Sequence, residues 1–272
     1  MGDLPAAGAA SFGVAPVTPA LTADIREKRY ARARGGKSHL ALAGLSLQVA
    51  AGEFVALVGP SGCGKTTFLN IVAGLDRDFA GDVQLAPRPD GRPARVGYVF
   101  QEPRLLPWRT VYQNIALVLP PHHAGGVVRD LLQAVGLAKA QDLYPAQLSV
   151  GMSRRVATAR AFAIEPDLLL MDEPFVSLDH DTVEQLRDLL LGLWHARPTT
   201  VLFVTHDLRE ALVLADRLLL LSGPPGRVLA DLPVSLARDR RDSGAEIERL
   251  RNEILRRHRE LIGAAATATT VE

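Results

Sequence analysis

The stretch Gly59-Pro60-Ser61-Gly62-Cys63-Gly64-Lys65-Thr66-Thr67 decides the fold of this chain. It follows the apolar run 54–58 and precedes a predicted helix over residues 68–75. A strand, a glycine-rich turn and a helix N-terminus in this order match the P-loop pattern, which binds nucleotide phosphates. Gly59, Gly62 and Gly64 allow backbone conformations that are closed to residues with a Cβ, so successive N–H groups can converge on phosphate oxygens.

Three side chains after the glycines complete the predicted phosphate site. Lys65 adds a positive charge between the β- and γ-phosphates, Thr66 supplies a hydroxyl for Mg²⁺, and Thr67 adds a phosphate contact. The alternative is a glycine-rich turn whose lysine is merely solvated, but the flanking strand and helix favour ATP binding. Cys63 lies inside the loop, where we expect its thiol to be passive.

The composition excludes several classes of protein. With 31 basic and 30 acidic residues, no strong charge draws the chain to nucleic acid or anionic lipid. The single cysteine rules out an internal disulfide framework and fits a reducing compartment. No stretch reaches the roughly 18–20 apolar residues that span a bilayer, and the N-terminus lacks a signal-peptide pattern. We therefore expect a cytosolic chain whose residues 1–21, rich in Ala, Gly and Pro, form a disordered leader.

Strand and helix patterns alternate along most of the chain. Buried strands are predicted at 54–58, 96–100, 167–171 and 200–204. Alternating polar and apolar residues from 25 onwards, and more clearly at 45–49, predict antiparallel edge strands over the nucleotide. Residues 105–152 have helical patterns and no convincing strand. The predicted fold is therefore α/β, a P-loop NTPase core with a mostly parallel sheet, antiparallel edge strands and an inserted all-α subdomain.

Polar side chains stand where predicted strands end, at the edge where α/β sheets bind ligands. Asp172 is placed to hold Mg²⁺ directly or through water, and Glu173 is the better candidate for the general base that activates water. Gln101 can reach an ion at the end of its strand. His206 is predicted to sense phosphate or position water, although a lone His is most often structural. The two carboxylates could instead form a solvated loop, which the preceding apolar run disfavours.

Two further features point to the remaining sides of the nucleotide. Tyr30 is predicted to stack on adenine, the alternative being an ordinary half-buried strand tyrosine. Residues 148–152 precede an Arg-rich helix and make a second anion-binding helix N-terminus, with Ser149 and backbone N–H groups as donors. Because one P-loop does not need a second phosphate site, we expect this one to close over the nucleotide of another copy of the chain.

These motifs resemble, in order and rough spacing, those of ABC transporter ATPase subunits, from Tyr30 to about residue 232. They are GPSGCGKTT, Gln101, LSVGM at 148–152, LLLMDEP at 168–174, the turn 177–179 and His206. The resemblance implies a RecA-like ATPase core at 22–101 and 153–240, a helical subdomain at 102–152 and a helical tail at 241–272. The helical subdomain falls where that family contacts its transporter.

The same resemblance implies a head-to-tail dimer with two ATP molecules at the interface. Each ATP is held by the P-loop of one subunit and the signature loop of the other. By position, Ser149 and Gly151 are the signature contacts, and Asp179 is the D-loop acid that faces the partner's site. Gln101 links Mg²⁺ to the helical subdomain and so to the membrane partner.

Two departures from the family pattern bear on the site. Val150 stands where the signature usually has its first Gly, and a positive φ there would be strained. Either this residue is extended or the signature contacts are weaker, and activity is expected to survive because Ser149 and Gly151 remain. In addition, Ser153-Arg154-Arg155 replaces the usual Arg-Gln-Arg. The gap between Tyr30 and the P-loop is also lengthened near residues 34–37, which weakens the adenine assignment.

Residues 99–116 are similar to ATPase subunits of the nitrate, sulfonate and taurine importers. This similarity implies a peripheral subunit on the cytoplasmic face of the inner or plasma membrane, which powers uptake of a small anionic solute through a separate permease. A periplasmic or lipoprotein solute-binding protein is then an indirect partner. Two rival functions are a soluble ABC ATPase of DNA repair or translation, which usually has two cassettes or a coiled-coil insertion, and a P-loop kinase, which leaves the signature loop unexplained.

The C-terminal residues 243–262 have an amphipathic pattern. Ile247, Leu250, Ile254 and Leu261 recur near heptad spacing among charged residues. The pattern predicts a helix that packs on its own domain, and the alternative is a helix that contacts the second copy or regulates activity.

Overall fold

A computed structural model describes residues 19–31, 38–236 and 244–257 of the chain. The strands are β1 (Pro19–Tyr30), β2 (His39–Ala50), β3 (Phe54–Val58), β4 (Ala80–Leu85), β5 (Val96–Val99), β6 (Leu168–Asp172), β7 (Thr200–Thr205), β8 (Arg217–Leu221) and β9 (Val228–Pro233). The α-helices are α1 (Lys65–Val72), α2 (Val111–Ala116), α3 (Pro121–Ala134), α4 (Val150–Ala163), α5 (His180–Ala196), α6 (Leu208–Leu214) and α7 (Gly244–Arg257). Within these ranges no helix is both long and apolar enough to cross a membrane.

The central sheet is mostly parallel, as predicted. Its strand order is β5-β6-β7-β3-β8-β9, and only β9 runs antiparallel to its neighbour. Every residue of β3, β6 and β7 is buried, because both faces of the sheet are covered. Phe54 and Ala56 face a core with α5, α6 and α7, whereas Val55 and Leu57 face a core with α1 and a second sheet.

The predicted antiparallel strands are confirmed, and they form a sheet of their own. β1, β2 and β4 form a separate antiparallel sheet of order β2-β1-β4, which lies over α1 and the central sheet. Alternate side chains of β1, including Leu21 and Ile25, are fully buried in that shared core. Because Leu21 needs this burial, β1 begins at Pro19, so residues 19–21 belong to a strand and not to a leader. Residues 1–18 lie outside the described residues.

The inserted helices have an apolar core of their own. Val111 and Ile115 of α2 pack with Val128 and Leu132 of α3 and with Val156 of α4. The cluster therefore extends into α4, past the predicted boundary at residue 152. Within the predicted helical stretch 105–152, residues Ala138–Ala140 form only one 3₁₀ turn.

The C-terminal helix packs on its own domain, which is the first of the two alternatives. Ile247 and Ile254 of α7 are buried in the core beside α6, and Leu250 is partly buried there. Arg209 of α6 pairs with Glu248 of α7 at 3.7 Å. Leu261 lies outside the described residues.

Candidate functional site

The P-loop connects the end of β3 to the start of α1. Gly64 is the N-cap residue of α1 and has a left-handed φ of 96°. Because it is a glycine, it offers no capping side chain, and the first turn of the helix holds no acidic residue. Gly62 is also left-handed, with a φ of 78°. The first N–H groups of α1 therefore point out of the helix with the positive end of its dipole, which is a ready binding site for an anion.

At two positions of the loop only glycine fits, because a Cβ would clash with neighbouring atoms. A Cβ on Gly64 would lie 2.5 Å from Cδ2 of Leu42, and one on Gly59 would lie 2.9 Å from both Sγ of Cys63 and Cβ of Leu221. Gly59 has no positive φ, so the prediction that it adopts a conformation closed to other residues is wrong. Gly59 is needed because its neighbours pack closely against it. Cys63 points into the core and is fully buried, and burial raises the pKa of its thiol.

A cavity of about 330 Å³ lies over the loop. Its lining brings together Tyr30, His39, Ala41, Ser61, Gly62, Gly64, Lys65, Thr66, Thr67, Gln101 and Glu173. Sequence reasoning missed His39 and Ala41, which belong to β2. The pairing of His39 with Tyr30 across the second sheet brings them to the cavity, and nothing in the local sequence of β2 marks them.

Lys65 lies in the centre of this site and is almost fully buried, with 5% exposure. Its Nζ donates hydrogen bonds to the carbonyl oxygens of Gly59 (2.8 Å) and Pro60 (3.0 Å) and lies 3.5 Å from Oε1 of Glu173. The ammonium group is therefore held between the loop backbone and a carboxylate. An anion entering the cavity would meet a positive charge that is already desolvated and fixed in place.

Asp172 and Thr66 provide oxygen ligands at the end of β6. The Thr66 hydroxyl donates to Oδ1 of Asp172 at 3.1 Å, and Asp172 is 2% exposed. Burial raises the pKa of Asp172, and the hydrogen bond from Thr66 opposes that rise. Over the described ranges no cluster of three or more His, Cys, Asp or Glu side chains could hold a metal by itself. One carboxylate and one hydroxyl suit Mg²⁺ delivered with phosphate groups, because Mg²⁺ usually keeps water and phosphate ligands.

Glu173 and His206 form a pair beside the lysine. Nδ1 of His206 lies 3.2 Å from Oε2 of Glu173, and the Glu173 side chain is 15% exposed whereas that of His206 is 53% exposed. Glu173 has a left-handed φ of 42°, an uncommon conformation for a residue with a side chain. Such conformations persist where the surroundings fix them and are concentrated at functional sites. The imidazole of His206 does not line the cavity but contacts the carboxylate of Glu173, which does.

Gln101 lines the cavity, and its backbone is held by a residue that sequence reasoning missed. The guanidinium group of Arg154 in α4 donates to the carbonyl oxygens of Phe100 (3.5 Å), Gln101 and Val176 (3.3 Å). Arg154 is only 5% exposed, and burial lowers its pKa. It thus joins the loop after β5 to the loop after β6. In the sequence, Arg154 is marked only as part of a departure from the family pattern, two residues after LSVGM. The sequence does not predict that Arg154 contacts these two loops.

The predicted signature and D-loop residues lie outside the cavity lining. Ser149 is the N-cap of α4 and accepts from the Met152 N–H at 3.1 Å. A Cβ on Gly151 would lie 2.8 Å from Cγ2 of Thr182, so α4 approaches α5 closely there. Asp179 caps α5 and accepts from the Thr182 N–H and hydroxyl at 3.0 and 2.7 Å. The three residues therefore form one surface, made by the N-termini of two helices of the same chain.

Val150 introduces no positive-φ strain. It is the first residue of α4, with helical backbone angles, and its side chain is 59% exposed. Of the two alternatives drawn from the sequence, an extended Val150 is therefore wrong, and weaker signature contacts remain a prediction.

The comparisons with known proteins agree with this geometry. The sequence pattern of the ABC transporter family matches residues 42–176. The aliphatic sulfonates import ATP-binding protein SsuB of Bacillus subtilis is 41% identical over 239 residues, covering 87% of this chain and 93% of that protein. An SsuB protein of Pseudomonas aeruginosa is 48% identical over 224 residues, covering 79% and 89%.

Solved structures give the same fold. A dimeric post-hydrolysis structure of the ATP-binding cassette MJ0796 bound to ADP and phosphate superposes with a TM-score of 0.68 at 30% identity, covering 80% of this chain and all of that one. A second dimeric structure of the same cassette gives equal values. The chain belongs to the ABC transporter family and is an ATP-binding cassette of the ATP-hydrolysing kind, so the predicted family, fold class and ATPase activity are confirmed.

Proposed function

We propose that this chain is the ATP-hydrolysing subunit of an importer for small anionic solutes of the aliphatic sulfonate kind. The observation that carries the proposal is the cavity that unites the P-loop, Gln101 and Glu173, with Asp172 bonded to Thr66 at its edge. The solute class rests on the relatives, which are named as aliphatic sulfonate import subunits. Uptake itself takes place in a separate permease, and a periplasmic or lipoprotein solute-binding protein delivers the solute to it.

The residues of the cavity divide the hydrolysis between them. The buried ammonium group of Lys65 contacts the β- and γ-phosphates, and Tyr30 stacks on the adenine. Thr66, Asp172 and Gln101 would hold Mg²⁺, which would supply positive charge to the phosphates. Glu173 accepts a proton from the attacking water, and His206, bonded to Glu173, fixes its orientation.

The site is completed by a second copy of the chain. Ser149, Gly151 and Asp179 lie together on a surface outside the cavity, although the first two offer phosphate donors at the start of α4. In a head-to-tail dimer this surface covers the ATP of the partner subunit. The dimeric structures of the MJ0796 cassette support this arrangement.

A cleft of about 660 Å³ between the inserted helices and the central sheet is the proposed permease contact. Its lining includes the apolar Val118 and Val127 and three arginines, Arg88, Arg92 and Arg95, of which Arg95 pairs with Glu165 of the same cleft at 3.4 Å. The neighbouring Leu117 is 48% exposed and adds to the apolar surface. A helical segment of a membrane subunit with apolar side chains complements the apolar part of this lining. The chain would then lie peripherally on the cytoplasmic face of the inner or plasma membrane.

Replacing the proposed general base tests the function. Glu173→Gln should lower steady-state ATP hydrolysis at least about a hundredfold, because general bases contribute roughly 10²–10⁴-fold, while ATP binding remains. Glu184→Gln on α5, an exposed carboxylate, is the matched control and should hydrolyse ATP normally. Hydrolysis of the native chain should also rise more steeply than linearly with protein concentration, and the chain should co-purify with a multi-span membrane protein. A Glu173→Gln protein with native activity would refute the assignment of the base.

A further inference from the structure

A buried lysine lies directly beneath Tyr30. Lys28 and Tyr30 are two residues apart on β1, and the pairing of β1 with β2 shifts register between Lys28 and Arg29. Lys28 is 2% exposed, and its Nζ lies 4.6 Å from the centroid of the Tyr30 ring. A cation at this distance over an aromatic face is attracted to the ring. One face of Tyr30 is thus covered by protein, and the side chain keeps 39% exposure, with the ring lining the nucleotide cavity.

Asp76, in the loop after α1, contacts both of these side chains. Its Oδ1 accepts from Nζ of Lys28 at 2.8 Å, and its Oδ2 accepts from the Tyr30 hydroxyl at 3.1 Å. The hydroxyl oxygens of Tyr30 and Thr67 lie 3.3 Å apart, so the phenol is also tied to the first turn of α1. Burial alone would lower the pKa of Lys28 and raise that of Asp76, but their mutual hydrogen bond reverses both shifts. Both groups are therefore charged at neutral pH.

We propose that Lys28 and Asp76 are positioning residues that hold the Tyr30 ring ready to receive the adenine of ATP. Lys28 blocks one face of the ring, and Asp76 fixes its hydroxyl, so the opposite face is presented to the base without loss of side-chain freedom on binding. Because Asp76 and Thr67 belong to α1 and its following loop, the base site is also fixed relative to the phosphate site. This inference rests on the proposed stacking of adenine on Tyr30.

The test compares a ligand that has a base with one that lacks it. ADP and pyrophosphate are titrated into the full-length chain by calorimetry, since neither is hydrolysed. Tyr30→Ala should weaken ADP binding about 5- to 100-fold, the range of base–aromatic stacking, and leave pyrophosphate binding within about twofold. Tyr30→Phe, which keeps the ring and loses the tethered hydroxyl, and Lys28→Met should each weaken ADP binding about three- to tenfold and also leave pyrophosphate unchanged. Arg29→Gln, at an exposed arginine that pairs with Glu27, is the matched control and should bind both ligands normally.

The outcomes separate two claims: that Lys28 and Asp76 hold the Tyr30 ring, which we call the clamp, and that adenine stacks on this ring. If Tyr30→Ala binds ADP as tightly as the native chain, the stacking on which the proposal rests is wrong. If Tyr30→Ala loses ADP affinity but Tyr30→Phe and Lys28→Met do not, the stacking stands and the clamp is refuted. Equal weakening of ADP and pyrophosphate would assign Lys28 a purely structural role and would also refute the clamp. Tyr30→Phe removes one exposed hydroxyl and decides the question even if Lys28→Met fails to fold.

Discussion

Gly64 and Gly62 both hold left-handed backbone angles in the P-loop, but their surroundings differ. A Cβ on Gly64 would meet Leu42 at 2.5 Å and the Ala41 carbonyl oxygen at 2.9 Å, whereas one on Gly62 would meet nothing within 4 Å. Gly62→Ala should therefore cost about 1–2 kcal/mol of unfolding free energy for the left-handed angle alone. Gly64→Ala should cost about 1–3 kcal/mol more because of overpacking. Urea unfolding of both variants measures the difference, and equal losses would contradict the steric argument.

Glu210 of α6 gives the stability a pH dependence. Its Oε2 accepts from the Thr205 hydroxyl at 2.7 Å, and burial raises the pKa of Glu210 to about 7 from an ordinary 4.5. A raised carboxyl pKa means that the native state binds this proton more tightly than the unfolded chain does. The resulting stabilisation is fully present below pH 4.5 and is lost as the pH rises through about 7.

Substituting this carboxyl should flatten the pH profile. Between pH 4.5 and 8 the native chain should lose about 2–3 kcal/mol of unfolding free energy relative to Glu210→Gln, which cannot ionise. Urea unfolding of both proteins at pH 5, 6, 7 and 8 makes the comparison, in which contributions from other titrating groups cancel. Parallel profiles for the two proteins would show that Glu210 titrates at its ordinary pKa.

At the scale of the element, α4 links the two parts of the site. Its N-cap Ser149 belongs to the surface proposed for the partner's ATP, and its Arg154 holds the backbone next to the chain's own cavity. Ser149→Ala should cost about 1 kcal/mol of unfolding free energy through the lost cap. It should leave ADP binding to the single chain unchanged and lower ATP hydrolysis.

The variant Asp179→Ala is compared with Ser149→Ala in stability, ADP binding and ATP hydrolysis. It removes a cap of the same kind from α5 and should cost a similar amount of stability. Calorimetry with ADP and a steady-state hydrolysis assay on both variants separate binding within one chain from catalysis across the dimer. Weaker ADP binding by Ser149→Ala at low protein concentration would contradict a role in the partner's site.

At the scale of the whole molecule, the C-terminal helix is part of the main core. Ile247 is 1% exposed beside α6, the helix that follows His206. Ile247→Ala should lower the unfolding free energy by about 2–5 kcal/mol through lost burial and the cavity left behind. Arg249→Ala, on the exposed face of α7, should change it by less than about 0.5 kcal/mol. A small effect at Ile247, measured by urea unfolding, would mean that α7 is dispensable for the core.

Much of the central sheet could be predicted from the sequence because its signals are local. The apolar run of β3 agrees with the prediction, since buried parallel strands are continuous apolar segments. The position of Asp172 at the end of its strand marks the binding edge of the sheet in the same way. In contrast, α4 begins at Val150, inside the stretch 148–152 that the pattern places before the helix, because these residues form the first turn of the helix.

The P-loop, the α/β core and the strand-end carboxylates follow from local sequence, since each depends on neighbouring residues. The separate sheet of β1, β2 and β4, and the approach of His39 to the cavity through it, become visible only in the folded chain. The tertiary structure also decided that Arg154 joins two loops and that Lys28 lies beneath Tyr30 against Asp76. These contacts join residues far apart in the sequence, such as Lys28 and Asp76, which are 48 positions apart, and they depend on how the layers pack around one core. In the proposed function, the Gly59–Thr67 loop places the phosphates, whereas the packing of the second sheet on α1 places the base.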